Sequence, residues 1–486
     1  MTLTIVGLGP GSLDDLSRRA WRTLKQAQMI YLRTAQHGCV PCLPQGPDKH
    51  YHSFDELYES LDDFEAVYEM IVRQLIAVAR LGDVVYCVPG DPLVGEATTT
   101  RLLAEAKAHG IPVEIVSGIS FVEPTLRLLE VDALDGLQVF DALEIAAMHH
   151  PPINPDYPAL LGQLYSQGVA SEVKLTLMNQ YPDDFDVKLI HAAGTDKARV
   201  EALPLYEIDR SPHIGHMTAL FVPALGEMSS FEQFQEVIAH LRAPEGCPWD
   251  REQTHESLRP YLIEEAYEVL EAIDQGDHGA LAGELGDLLL QIVLHTQIAT
   301  EDGTFTMPDV LRRINAKMIR RHPHVWGQVD VAGSPARVVA NWEALKRQEK
   351  TDNGAGGEES VLDSIPKALP ALLQAYQYQA RAAKVNFDWP MIGDVIAKVK
   401  EELAELEAAG SDGDRAEELG DLLFVLVNWA RWLGVEPEGA LRAANAKFYR
   451  RFRYVEQGVA AAGKALTDCT LAELDALWDE AKAKGL

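Results

Sequence analysis

The chain is poor in cations, cysteines and aromatic residues and has no long apolar run, and most of these shortages remove a class of protein. Lysine and arginine number 43 against 74 aspartates and glutamates, a formal net charge of −31. A nucleic-acid binder needs a basic surface for phosphate contacts, so this balance argues against that class. Any site for a phosphate compound must therefore gather the few cations locally or recruit metal ions. No stretch of about twenty apolar residues occurs, so no membrane-spanning helix is expected. Met1 to Gly11 lacks a basic n-region and a cleavage pattern, and reads as a first strand. The five cysteines, Cys39, Cys42, Cys87, Cys247 and Cys469, suggest free thiols and a cytoplasmic location. Cys39 and Cys42 form a lone CxxC, and without a second pair it is a weak metal or redox signal.

What is present is an ordinary globular composition, 47% hydrophobic and 24% charged, over a length that predicts several domains. Up to about residue 225, short β-rich runs alternate with helical patterns. The strands expected are Leu3–Val6, Val84–Val88, Val113–Val116, Lys174–Met178 and Met217–Val222. Leu16–Ala27, Phe64–Ala79 and Thr98–His109 read as helices between them, so 1–225 is expected to be an α/β domain. From about 232 the strand signal vanishes and 3.6-residue periodicity takes over, predicting an all-α remainder. Thr351–Ser360, TDNGAGGEES, reads as a flexible linker between a domain at 232–350 and another at 361–486.

The two sides of that linker repeat each other. EEAYEVLEAI, GELGDLLLQIVL, INAKMIRR and NWEALK on the first side return in order as EELAELEAA, EELGDLLFVLV, ANAKFYRR and LWDEAK. Each copy also begins near a Trp/Asp pair, Trp249-Asp250 and Asp388-Trp389. Four matching blocks in one order indicate duplication.

Glu265 and Glu268, three apart, share a helical face, as do Glu284 and Asp287 on the next helix. The second copy supplies Glu402 and Glu405, then Glu418 and Asp421. An isolated EELAELE is ordinarily a solvated acidic face. Here the second helix of each copy is apolar nearly all round, which predicts burial, yet Glu284, Asp287, Gln291 and His295 form one polar stripe along it. Glu418, Asp421 and Asn428 lie in a similar line. Buried carboxylates are costly unless paired or bound to a metal. At about 4 Å and an effective dielectric near 20, each like-charged pair costs on the order of 4 kcal/mol. A hard divalent cation reverses that sign, and Mg²⁺, or Mn²⁺, suits an all-oxygen ligand set completed by water and phosphate.

Cations recur at fixed spacing despite their scarcity. Lys317 and Arg321 are mirrored by Lys447 and Arg451, and Trp342 and Lys346 by Trp478 and Lys482. Such lysines and arginines can neutralise a polyphosphate, and a tryptophan can stack on a base. With CPWDREQTHESLRPYLIEEAYEVLEAI, GELGDLLLQIVLH and EELGDLLF, the region from about 232 to 486 resembles the MazG family of nucleotide pyrophosphohydrolases in tandem form. The resemblance implies two helical bundles that associate in pairs. In each, an ExxE…ExxD quartet holds Mg²⁺, here Glu265, Glu268, Glu284, Asp287 and Glu402, Glu405, Glu418, Asp421. The implied reaction is hydrolysis of a nucleoside triphosphate to the monophosphate and pyrophosphate.

In the N-terminal half, Gly7-Leu8-Gly9-Pro10-Gly11 follows a strand. It is neither a dinucleotide fingerprint, because Ser12 stands where the third glycine would fall, nor a P-loop. GLGPG, VPGDPLVGEATTT, VSGISFVEPTLRLL, the expected strand ending at Met178, and HMTALFVP together resemble the tetrapyrrole methylase family, and the whole chain resembles a YabN-type fusion of such a domain with MazG. That resemblance implies S-adenosylmethionine near Gly9, Pro10, Gly90, Asp91, Val94, Ser120, Phe121, Met178 and Ala219, and a small-molecule methyl acceptor. The expected architecture is thus an α/β methylase-like domain followed by two all-α bundles, associating as a homodimer. The competing expectation is a methyltransferase whose helical half serves for dimerisation or nucleotide sensing.

Overall fold

Val84–Val88 is apolar on both faces, and only a strand covered on both sides can use such a run. The computed structural model, which describes residues 1–61, 63–226, 228–352 and 360–486, shows how it is covered. Strands β1 (Leu3–Gly7), β2 (Met29–Leu32), β3 (His50–Ser53), β4 (Val84–Val88) and β5 (Val113–Val116) form a parallel sheet in the order β3-β2-β4-β1-β5. On one face the helix Phe64–Ala79 buries Val67, Ile71, Leu75 and Ala79 in a core with Leu3, Ile5 and Tyr86. Their spacing of four is one helical face. On the other, the helix Arg18–Gln26 places Ala20 and Leu24 in a core with Val6, Ile30 and Cys87.

A second sheet is built from β6 (Gln138–Asp141), β7 (Ala159–Gly162), β8 (Asp186–His191), β9 (Arg199–Pro204) and β10 (Thr218–Val222), in the order β6-β7-β10-β8-β9. Only β6 and β7 run parallel; the remaining pairs are antiparallel. Leu161, Leu189 and Leu220 pack with Val169, Val173 and Leu177 of the helix Gln167–Leu177. Leu160, Ile190 and Phe221, the residues next to these along each strand, pack with Phe121, Val122 and Leu128.

Lys174–Met178 is a correction. It is the end of the helix Gln167–Leu177, not a strand. Ser166 caps that helix by accepting from Val169 N at 3.2 Å, and Val169, Val173, Thr176 and Leu177 are buried at helical spacing. The alternation Lys-Leu-Thr-Leu imitates a strand only in a short window. The other expected strands are present, Met217–Val222 beginning one residue later at Thr218. The short β2, β3 and β6–β9 carry too little pattern of their own and are defined by their pairing.

The chain divides into two compact units, Met1–Leu311 and Arg312–Leu486. In the first, Asp156 accepts from Ser229 N and Ser230 N at 2.8 and 3.2 Å, tying the helix Phe231–Arg242 to the α/β part. Arg242 pairs with Glu301 at 2.8 Å. The helices Arg259–Gln275 and His278–Glu301 form a hairpin, because Gly276 takes φ +67° as a left-handed cap and Asp277 accepts from Gly279 N and Ala280 N to start the next helix. In the second unit the same arrangement returns as Ile392–Ala408 and Asp412–Trp432, the latter opened by a Ser411/Asp414 capping box. Ala371–Ala383 packs on this hairpin, and Pro437–Ala461 on Leu471–Ala483.

The expected linker is corrected at one end: Thr351 and Asp352 belong to the helix Pro335–Asp352. Residues 353–359 of it lie outside the described residues. Among those described, no helix is long and apolar enough to cross a membrane.

Candidate functional site

Each helical hairpin puts its two acidic pairs side by side. In the first, carboxylate oxygens of Glu265, Glu268 and Glu284 lie within 4.8 Å of one another, and in the second those of Glu402, Glu418 and Asp421 do. The fourth members are close enough to act electrostatically, Asp287 on Glu265 and Glu405 on Glu418. Partial desolvation, then the neighbouring carboxylates, hold Glu265, Glu284 and Glu418 above the ordinary carboxylate range. The donors are all hard oxygens at a separation that one cation bridges, so the residues fit Mg²⁺ or Mn²⁺.

Burial is less complete than the apolar pattern suggests. Glu402 is buried and Glu265, Glu284 and Glu418 are half-buried, while Glu268, Asp287, Glu405 and Asp421 are exposed. Beside them Leu285, Leu289 and Ile292 are 49%, 37% and 43% exposed, and Leu419 and Leu423 47% and 46%. The buried stretch of each helix lies further on, at Val293, Leu294 and Ile298 and at Val425 and Val427. The polar stripe continues into that stretch: Gln291 and Asn428 are buried, and His295 Nδ1 is 2.8 Å from His255 Nδ1.

The second cluster carries a group that sequence reasoning did not single out. Lys398 Nζ lies 2.8 Å from Glu402 and 2.9 Å from Glu401. Its hydrogen bonds to those carboxylates raise its pKa. The available signal was the four-residue spacing to Glu402 on one helix.

The cationic and aromatic residues form a similar pair in each copy. The Arg321 guanidinium lies 5.4 Å over the Trp342 ring, and that of Arg451 5.8 Å over Trp478. Lys317 and Lys447 stand one turn before these arginines. Arg321 and Arg320 both bond Glu349, at 2.5 and 2.7 Å, which holds Glu349 down at about 2, chiefly through Arg321. Arg451 Nε donates to the Leu486 carbonyl at 2.7 Å, and Lys482 pairs with Asp479 at 2.9 Å. Lys346 lies one turn after Trp342. These arginines are therefore engaged with protein partners. Among the described residues, no recorded hydrogen bond or ion pair joins Lys447, Arg451 or Lys482 to the second quartet.

In the α/β part, the loops after β1, β4 and β5 converge. Gly9 and Gly90 exchange backbone hydrogen bonds of 3.2 and 2.8 Å. Asp91 accepts from Gly118 N at 3.1 Å, and Val94 N donates to Asp91 O at 3.2 Å. A Cβ on Gly7 would come within 2.5 Å of Gly90 O, and one on Gly118 within 2.3 Å of the same atom. Only glycine permits this approach. Ser120 donates to Glu123 at 2.6 Å. Pro10 lies so close to Gly194, beyond β8, and the Phe121 ring so close to Gly162, at the end of β7, that neither glycine has room for a Cβ, so elements of the second sheet pack beside these loops. Ala219 on β10 belongs to the core that Phe121 joins. Met178 is not brought to these loops by any described hydrogen bond; it caps the helix Gln167–Leu177. His37, not singled out from the sequence, bonds Gly9 O at 3.0 Å through Nε2.

Residues 2–209 match the family of Tetrapyrrole (Corrin/Porphyrin) Methylases, and residues 253–326 match the MazG nucleotide pyrophosphohydrolase domain. Fold and site thus define a class, a methylase-like α/β domain fused to a MazG-type helical region. The protein YabN of Bacillus subtilis is 42% identical over 488 residues, 99% of this chain and 98% of that one. The nucleoside triphosphate pyrophosphohydrolase/pyrophosphatase MazG of Thermotoga maritima is 46% identical over 252 residues, 52% of this chain and 95% of that one. The nucleoside triphosphate pyrophosphohydrolase of Escherichia coli K12 is 45% identical over 261 residues, 52% of this chain and 98% of that one. The chain belongs to the YabN family of methylase–MazG fusions.

Proposed function

We propose that the helical half hydrolyses nucleoside triphosphates to monophosphate and pyrophosphate with Mg²⁺ or Mn²⁺ held by the two quartets. The observation that carries this reading is the meeting of Glu265, Glu268 and Glu284, and of Glu402, Glu418 and Asp421, within 4.8 Å. The relatives named as pyrophosphohydrolases across this half support it. When bound, the cation neutralises phosphate charge and polarises the attacking water. The protein's own part is to fix that geometry, with Glu284 and Glu418 among the carboxylates that would hold the cation against the phosphates. Lys317, Lys346, Lys447 and Lys482 would meet the polyphosphate, and Trp342 and Trp478 the base, each indole with one face already against an arginine. This reading divides the chain into a methylase-like domain at 1–225 and MazG-like domains at 232–350 and 361–486.

The α/β part is read as an S-adenosylmethionine site acting on a small-molecule acceptor, a reading supported by the match of residues 2–209 to the Tetrapyrrole (Corrin/Porphyrin) Methylases and by the convergence of the loops after β1, β4 and β5. The deciding experiment is product analysis after incubation with each nucleoside triphosphate and Mg²⁺. Monophosphate and pyrophosphate in equal amounts, lost on adding EDTA, are expected. Nucleotide that stays intact, or turnover unchanged in thoroughly chelated protein, would sink the reading.

A further inference from the structure

Matching the sequences of the copies at their acidic pairs, Glu265 and Glu268 against Glu402 and Glu405, sets Tyr261 opposite Lys398. Both positions stand one turn before the first carboxylate of their quartet. Tyr261 turns its ring toward Trp249, with centroids 6.4 Å apart. Within the first unit, no lysine or arginine among the described residues makes an ion pair with Glu265, Glu268, Glu284 or Asp287. Lys398 instead binds Glu402 at 2.8 Å, and the Glu402 side chain is 7% exposed. Among the described residues of its own unit, one cluster therefore holds four carboxylates with no lysine or arginine paired to them. The other holds the same four with an ammonium tethered to its most buried member.

We propose that Lys398 makes the two quartets unequal cation sites, so that the first copy loads its divalent ion at a lower free concentration than the second. This rests on the reading that the quartets hold the cation. A dication entering the second cluster must break the Lys398–Glu402 pair or tolerate a like charge a few ångström away. Lys398 is 32% exposed, so water screens much of the repulsion. A unit charge about 5 Å from a dication at a dielectric near 80 still changes affinity roughly tenfold. The two copies would then answer different ranges of free cation within one chain.

The test is Mn²⁺ titration of the full chain, followed by the electron paramagnetic resonance signal of the free ion. Two classes of site about tenfold apart are expected. E284Q should remove the tighter class and E418Q the weaker. K398M should strengthen the weaker class until the two merge, while K398R, which keeps the charge, should leave them apart. A single class in the wild type, or a weaker class unmoved by K398M, would overturn the inference while leaving the quartets as cation sites. Absence of any Mn²⁺ binding would overturn both.

Discussion

At the residue scale the quartets are governed by charge concentrated at one place. Glu284 and Glu418, like Glu265, are half-buried members whose pKa is raised by both desolvation and neighbours. Glu284→Gln and Glu418→Gln, made singly and together, should separate the contributions of the copies. The double variant should lose on the order of hundredfold in turnover, measured as pyrophosphate release; wild-type turnover in it would refute the assignment. The raised pKa values also fix a sign. An acid held above its ordinary value of 4.5 in the fold binds protons more readily folded than unfolded. Its ionisation therefore opposes folding, and metal-free protein should lose stability as pH rises from about that value through the raised folded values. A bound cation removes this penalty. The gain in Tm on adding Mg²⁺ should accordingly grow with pH across that window, and a gain independent of pH would argue that the cation binds elsewhere.

At the element scale the glycine loops are set by backbone contact. Replacing Gly118 by alanine puts a methyl group 2.3 Å from Gly90 O, backbone that cannot swing aside. Gly118→Ala should cost about 1–3 kcal/mol by overpacking and weaken S-adenosylmethionine binding, read by thermal unfolding and calorimetry on the full chain. Unchanged values for both would show that the loops can separate freely. These loops were legible in the sequence because glycines followed apolar runs. Met178 was not, because five residues cannot distinguish a strand from the last turn of a helix. Only Ser166 and the buried face of Val169, Val173 and Leu177 make the distinction. Lys398 is a similar case. Its spacing to Glu402 was readable, but lysines and glutamates at that spacing are commonplace on solvated helices, and what sets it apart is the burial of Glu402.

At the scale of the whole molecule, the unsatisfied feature is apolar surface beside the acidic turns. Leu285, Leu289, Ile292, Leu419 and Leu423 are all more than a third exposed, although their helices are apolar on nearly every face. Such faces call for another helical layer, which a second chain can supply. We therefore propose a homodimer. A chain ending near residue 350 should aggregate or dimerise through its first copy; a soluble, well-folded monomer by light scattering would show that the copies stand alone.

The sequence by itself determined the order of α/β and helical halves, the recurrence of an acidic helix pair on each side of the expected linker and most of the glycine loop positions. All of these follow from periodicity, from repetition and from residue types with narrow uses, which local patterns carry. Tertiary structure decided the strands β6–β9, the close packing of Pro10 on Gly194 and of Phe121 on Gly162, the pairing of Arg321 with Glu349, and that of Lys398 with the buried Glu402. Each depends on residues brought together by distance in space or on how far a charge is withdrawn from water. Neither quantity is a property of any short stretch of chain.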